Sequence, residues 1–111
     1  MARLRNVTQL LCLLLTFATV YHPSFEGKQM ANQDVYHHDV ISCAHNAFPL
    51  GTVLQVSSGK RSVTCEVTDR LSKKAARYKG QWVVDLSGAA WDKLTDAKPG
   101  RITVKVKVIH E

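Results

Sequence analysis

The chain is short of the features that would assign it to several common classes of protein. Only 7% of its 111 residues are aromatic, and no basic helix accompanies them, so the usual equipment for nucleic-acid binding is missing. Its three cysteines include no Cys-x-x-Cys pair, and no two histidines stand in His-x-x-x-His spacing, so His37, His38, Asp39, Cys43 and His45 are a dense group of donors without a zinc pattern. No metal and no cofactor is expected. The longest apolar run, residues 10–18 (LLCLLLTFA), is shorter than the ~20 residues that a membrane-spanning helix needs. There is no internal repeat, no linker and no low-complexity tract, and 45% of the residues are hydrophobic, which excludes a disordered chain and fits one domain.

What is present begins with a leader. Arg3 and Arg5 form a positive n-region, residues 10–18 an apolar h-region, and Thr16-Phe17-Ala18 a small-x-small cleavage site. The expected division is a cleaved signal over 1–18 and a folded domain over 19–111, exported to the periplasm or the outside and leaving no membrane span. Cys12 lies between leucines and lacks the small residue that precedes a lipidated cysteine. Loss of Arg3 and Arg5 takes two charges off the formal +6, and the basic remainder suits either an anionic polymer or a solvated face. Export would leave Cys43 and Cys65. In an oxidising compartment this pair suggests one disulfide closing a loop of about 20 residues, stabilising by roughly 3 kcal/mol; two buried free thiols are the alternative.

Three segments alternate apolar and polar residues at period two, which predicts strands over 52–56, 62–68 and 102–108. Ser57-Ser58-Gly59-Lys60 is a turn joining the first two. QWVVD (81–85) reads as a short buried strand, and TVYH (19–22) as another at the mature N-terminus. One short helix fits 87–94, with Ser87 as N-cap, and residues 72–78 can form a basic helical turn. The expected fold class is all-β: a small six-stranded barrel with one short helix.

Candidate chemistry rests on carboxylates. Cys43 and His45 are two apart in one extended segment, which rarely gives an in-line thiol–imidazole pair. Asp69 and Asp85 both follow apolar runs at strand ends, where half-burial raises a carboxyl's pKa and suits it to act as a general acid. Each also has a structural explanation: an ion pair with Arg70 for Asp69, and capping beside Ser87 for Asp85.

The order of motifs resembles the RlpA-like double-psi β-barrel family, which shares its barrel with expansins and family-45 endoglucanases. The resemblance is carried by Ala18-Thr19-Val20-Tyr21, by Phe25-Glu26-Gly27-Lys28 and by Met30-Ala31-Asn32-Gln33-Asp34. It continues through Cys43-Ala44-His45-Asn46-Ala47-Phe48-Pro49-Leu50-Gly51-Thr52, then Val67-Thr68-Asp69-Arg70 and Val84-Asp85-Leu86-Ser87, and covers residues 18–109. Asp34 stands where the family has glutamate, and Leu71-Ser72 where it has Gly-Pro. The loop from Asp69 to Asp85 is longer than usual and carries Lys73, Lys74, Arg77 and Lys79.

The resemblance implies a double-psi barrel acting as a monomeric lytic transglycosylase on peptidoglycan glycan strands. It assigns Asp85, Asp69, His45 and Asp34 to catalysis, with Asp85 as acid and His45 and Asp34 orienting sugar hydroxyls, and substrate contacts to Tyr21, Arg70 and His37. His45 is expected to line a groove with Asp69 and Asp85. The rival readings are a wall-binding or expansin-like module that does not cut, and a secreted protease inhibitor.

Overall fold

The computed structural model describes residues 14–111. The n-region and residues 10–13 of the h-region, Cys12 included, lie outside the described residues.

Among the described residues, seven strands and one α-helix are formed: β1 (Leu14–Val20), β2 (Cys43–Ala44), β3 (Val53–Ser58), β4 (Arg61–Asp69), β5 (Arg77–Tyr78), β6 (Gln81–Leu86), α1 (Gly88–Leu94) and β7 (Ile102–His110). Six of the strands run β1-β7-β3-β4-β2-β6 and close on themselves through a parallel β1–β6 pairing. β5 stands outside the barrel as a flap hairpin on β6. The all-β, six-stranded closed barrel with one short helix is thus what the chain forms.

Alternation fixes the inner face. Val63, Cys65 and Val67 of β4, Leu54 and Val56 of β3, Val84 and Leu86 of β6, and Val104, Val106 and Val108 of β7 fill a single core with Ala18 and Trp91. Lys105 and Lys107 lie exposed between those valines, as period-two patterning requires. The β3–β4 hairpin turns through Gly59-Lys60, with Ser58 opposite Arg61 and Gly59 at φ 58°. Cys43 and Cys65 are bonded, with Cα atoms 5.9 Å apart, so β2 is tied to the neighbouring β4 inside the core. Ser87 caps α1 by accepting from the Ala90 N–H, and it also takes the Ser42 N–H.

One element starts earlier than its sequence suggests. The strand expected over 19–22 spans Leu14–Val20 instead, pairing with β7 from Leu14 to Ala18 and with β6 from Phe17 to Val20. Ala18 is fully buried. The expected cut after Ala18 therefore falls inside β1, and residues 14–18 form most of a barrel strand. The apolar residues of the expected h-region that the structure describes also suit a strand, with Thr16 and Ala18 buried.

The segment between β1 and β2 folds over the outer face of the barrel. A 3-10 turn at Pro23–Phe25 leads into a small hairpin, where Tyr36 N–H donates to Lys28 O, Tyr36 O accepts from Gly27 N–H, and Met30 N–H reaches Asp34 O. Its tip docks on the end of β4 through Asn32 N–H to Thr68 O at 3.1 Å.

Candidate active site

Four strands bring a row of side chains to one outer face. Thr19 pairs with Asp85, Asp85 with Ala44, and Ala44 with Asp69, so the row crosses β1, β6, β2 and β4 in turn. The backbones of the two aspartates are two strand spacings apart, roughly 10 Å. Plain alternation would send Asp69 inward with Val67. The register between β2 and β4 slips at Cys43/Ala44, where Cys43 opposes Val67 but Ala44 opposes Asp69. The extra residue, Thr68, is a bulge that re-aims Asp69 to the groove side.

Each carboxylate is held differently. Asp69 accepts from the Tyr21 hydroxyl at 2.6 Å on one oxygen and from the Ala31 N–H at 2.8 Å on the other. Asp85 accepts from the Thr19 hydroxyl at 2.8 Å on Oδ1, and no described residue donates to its second oxygen. Burial pushes the Asp85 carboxyl up to about 6; the Thr19 bond opposes this, and the nearby Asp69 charge adds to it. Tyr21 is buried, and its hydroxyl is raised far above the usual phenol value, first by burial and then by the Asp69 bond. The Tyr36 ring stacks on Tyr21 at 4.4 Å and 12°. Tyr36 is raised to about 12, chiefly by burial, and its hydroxyl meets His38 Nδ1 at 2.7 Å. Tyr21, Tyr36 and Ala44 with Met30 and Leu71 make a small apolar floor beside the carboxylates.

The other expected site residues are distributed more widely. His45 is 2% exposed. Its Nδ1 accepts from the Ala47 N–H at 3.0 Å, and its ring packs on Phe48 at 4.6 Å and Trp82 at 5.7 Å. No hydrogen bond joins that ring to Asp69 or Asp85 among the described residues; the link to Asp69 is a backbone one, His45 N–H to Asp69 O at 3.2 Å. Burial, with the Arg70 charge, lowers His45 to about 4, so it is neutral at physiological pH with its proton on Nε2. Arg70 donates to the carbonyls of His45 at 2.6 Å and Phe48 at 2.7 Å, rather than pairing with Asp69, so it braces the loop after β2. Asp34 is exposed at the hairpin tip, with its carboxylate on the Asn32 amide at 3.1 Å. His37 is exposed and bonded to Glu26 at 2.7 Å, beside an open pocket of about 500 Å³ near the start of α1. Tyr21 alone of the expected substrate-contact residues touches the carboxylate pair.

Sequence reasoning passed over three contributors. Thr19 was visible as an outward residue two before Tyr21, but its partner depended on the β1–β6 register. Tyr36 and the Ala31 N–H arrive through the docked hairpin, which carries no periodic signal. Among the described residues no group of three or more His, Cys, Asp or Glu side chains gathers as metal ligands.

A fold with two carboxylates on an outer groove of a double-psi barrel narrows the possible relatives. A family described as "Lytic transglycolase" matches residues 17–106, nearly the whole described domain. The chain belongs to that RlpA-like double-psi β-barrel family. An uncharacterised Synechocystis protein, ssl3177, is 33% identical over 80% of this chain and 91% of its own length. The endolytic peptidoglycan transglycosylase RlpA of Campylobacter jejuni is 30% identical over 83% of this chain and 32% of its own. That of Rickettsia bellii is 30% identical over 78% and 37%. The chain thus spans about a third of the curated transglycosylases it matches. Among solved structures, Streptomyces papain inhibitor superposes with a TM-score of 0.68 at 19% identity, covering 87% of this chain and 94% of that one, a likeness of fold.

Proposed function

We propose that this domain is an exported lytic transglycosylase that cleaves the bond between N-acetylmuramic acid and N-acetylglucosamine in peptidoglycan, with Asp85 as its acid and base. The observation that carries this reading is the asymmetry of the carboxylate row: Asp85 is raised to about 6 and keeps one oxygen free of protein donors, while both Asp69 oxygens are occupied. A carboxyl poised near its pKa can both give and take a proton within a turnover.

In the first step protonated Asp85 donates to the glycosidic oxygen as the bond to muramic acid C1 breaks. The bonding electrons leave with that oxygen, and positive charge develops on C1 and the ring oxygen. The Asp69 carboxylate, held by Tyr21 and Ala31, opposes that charge from across β2. In the second step the sugar's own C6 hydroxyl attacks C1 and gives its proton to the Asp85 carboxylate. A 1,6-anhydro ring closes, no water is consumed, and Asp85 is protonated again. One acid/base group suffices, in contrast to the carboxylate pair of a hydrolase. His45 acts as a positioning residue, setting the end of β2 between the two aspartates through its packing and its backbone bond to Asp69. Asp34 lies at the rim.

Incubating the domain with purified peptidoglycan tests this. Mass spectrometry is expected to find 1,6-anhydro-muropeptides, and their formation is expected to fall as pH rises through about 6, where Asp85 loses its proton. No anhydro product from either intact or peptide-stripped glycan would refute the enzyme reading. Pelleting with the wall without products would leave a binding module.

A further inference from the structure

His38 stands outside the carboxylate row, yet it is held at four points. Its backbone N–H donates to Glu26 Oε1 at 2.8 Å, and its carbonyl accepts from the Ala89 N–H, in the first turn of α1, at 2.9 Å. Its ring lies against Gly88, where any Cβ would overlap the imidazole. Its Nδ1 meets the Tyr36 hydroxyl at 2.7 Å. Residues in connecting segments are ordinarily the more mobile ones, and His38 is half-buried in a segment that is neither strand nor helix.

The surroundings of Tyr36 set the direction of that bond. Tyr36 is 1% exposed and keeps its proton, and the Gly88 N–H is directed at its oxygen. The hydroxyl's own proton therefore goes to His38 Nδ1, which acts as an acceptor. Without that acceptor a buried hydroxyl proton would lose its partner. The Tyr36 ring stacks on Tyr21, with centroids 4.4 Å apart and planes within 12°, and the Tyr21 hydroxyl donates to Asp69 Oδ2 at 2.6 Å. The contacts thus run unbroken from His38 through Tyr36 and Tyr21 to Asp69, with Ala44, Met30 and Leu71 packed around the two rings. Close packing passes a tilt of the Tyr36 ring on to Tyr21.

We propose that His38 is a positioning residue for the reaction: through Tyr36 it sets the plane of the Tyr21 ring, and so holds the Asp69 carboxylate toward the site of developing positive charge. Its effect on rate rests on the transglycosylase reading; its hold on Tyr21 rests on the contacts alone.

The whole chain is compared with His38→Leu, His38→Asn, Tyr36→Phe and the double variant His38→Leu/Tyr36→Phe. On purified peptidoglycan, His38→Leu is expected to lower kcat about tenfold, the worth of one buried hydrogen bond, and to change KM by less than about twofold. His38→Asn, whose Oδ1 can replace Nδ1 as acceptor, is expected to return kcat to within about twofold of the unsubstituted chain. Tyr36→Phe is expected to match His38→Leu, and the double variant to lose no more than either. Exchange of the Tyr21 hydroxyl proton, followed by NMR without substrate, gives a second readout: about tenfold faster in His38→Leu and restored in His38→Asn, for the same lost and regained bond. A change in KM without one in kcat, a His38→Asn variant as slow as His38→Leu, or additive losses in the double variant overturns the proposal, as does unchanged Tyr21 exchange in His38→Leu. Absence of anhydro product from every chain, with the exchange pattern as expected, refutes the transglycosylase reading alone and upholds the hold of His38 on Tyr21.

Discussion

The ends of β4 and β6 each place an aspartate beside Ala44, yet the two surroundings differ in kind. At the β4 end, a bulge, a tyrosine hydroxyl and a docked hairpin supply Asp69 with a donor for each oxygen, and the Cys43–Cys65 bond ties that strand to β2. At the β6 end, Asp85 has burial, one threonine hydroxyl and no cross-link. Identical side chains in one row thereby differ in ways that suit the separate roles proposed for them: Asp69 is held at both oxygens, and Asp85 keeps one oxygen open to a substrate.

The largest test of that difference removes the mobile proton. Asp85→Asn is expected to lower anhydro-product formation by about 10²- to 10⁴-fold, the range for losing a general acid. The same change is expected to stabilise the fold at pH 8. The Asp85 carboxyl is raised in the folded state, so its charge disfavours folding fully above about 6 and not at all below the ordinary value of 3.8. The gain, up to about 3 kcal/mol, should therefore vanish in melts at pH 3.5, and an equal gain at both pH values would refute the burial account.

Next comes the cross-link that only the Asp69 side has. Cys43→Ala/Cys65→Ala is expected to lose about 3 kcal/mol in urea unfolding. Tyr21→Phe empties one Asp69 oxygen of its donor and is expected to cost about 1.5–3 kcal/mol, as for a hydrogen bond to a charged group. The smallest effects are the most discriminating. Thr19→Val removes a bond that lowers the Asp85 pKa, so the alkaline limb of the pH–rate profile should move up. Asp69→Asn removes a charge that raises it, so the limb should move down. Shifts of the same sign in both variants would show that the two aspartates are not coupled in the way described.

His45 adds a pH dependence of opposite sign to that of Asp85. Its folded pKa is lowered to about 4, so the unfolded chain binds a proton that the fold refuses between about 6.5 and 4, and stability from this group falls as pH falls through that window. A His45→Gln variant is expected to flatten the acid side of the stability profile measured by thermal melts.

Much of the barrel could be read from the chain because period-two alternation records which face of a strand is buried, and β3, β4 and β7 formed where it pointed, while β6 formed on a short apolar run. The turn at Gly59 and the Ser87 cap were legible for the same local reasons. The groove was legible in part. Asp69 and Asp85 stood out as carboxylates at the ends of apolar runs, but that they share a face depends on a one-residue slip at Thr68, which no alternation rule announces. Arg70 was read as an ion-pair partner for its neighbour Asp69, with a substrate contact implied by the resemblance; its Nη1 donates to two backbone carbonyls, a demand invisible until the loop after β2 is closed. Asp34 and His37 were placed by motif order, and motif order says nothing about the docked segment on which Asp34 bonds to Asn32 and His37 to Glu26.

β1 sets a condition on how the protein is made. A peptidase acting between Ala18 and Thr19 would take five of its seven residues and leave β7 and β6 without the strand that closes the barrel between them. Under the proposed export, leader cleavage and barrel closure would draw on the same residues. A cleaved leader that keeps β1 whole would end before Leu14, and N-terminal sequencing of exported protein is expected to place the cut there. A first residue of Thr19 would mean that the secreted chain closes its barrel some other way.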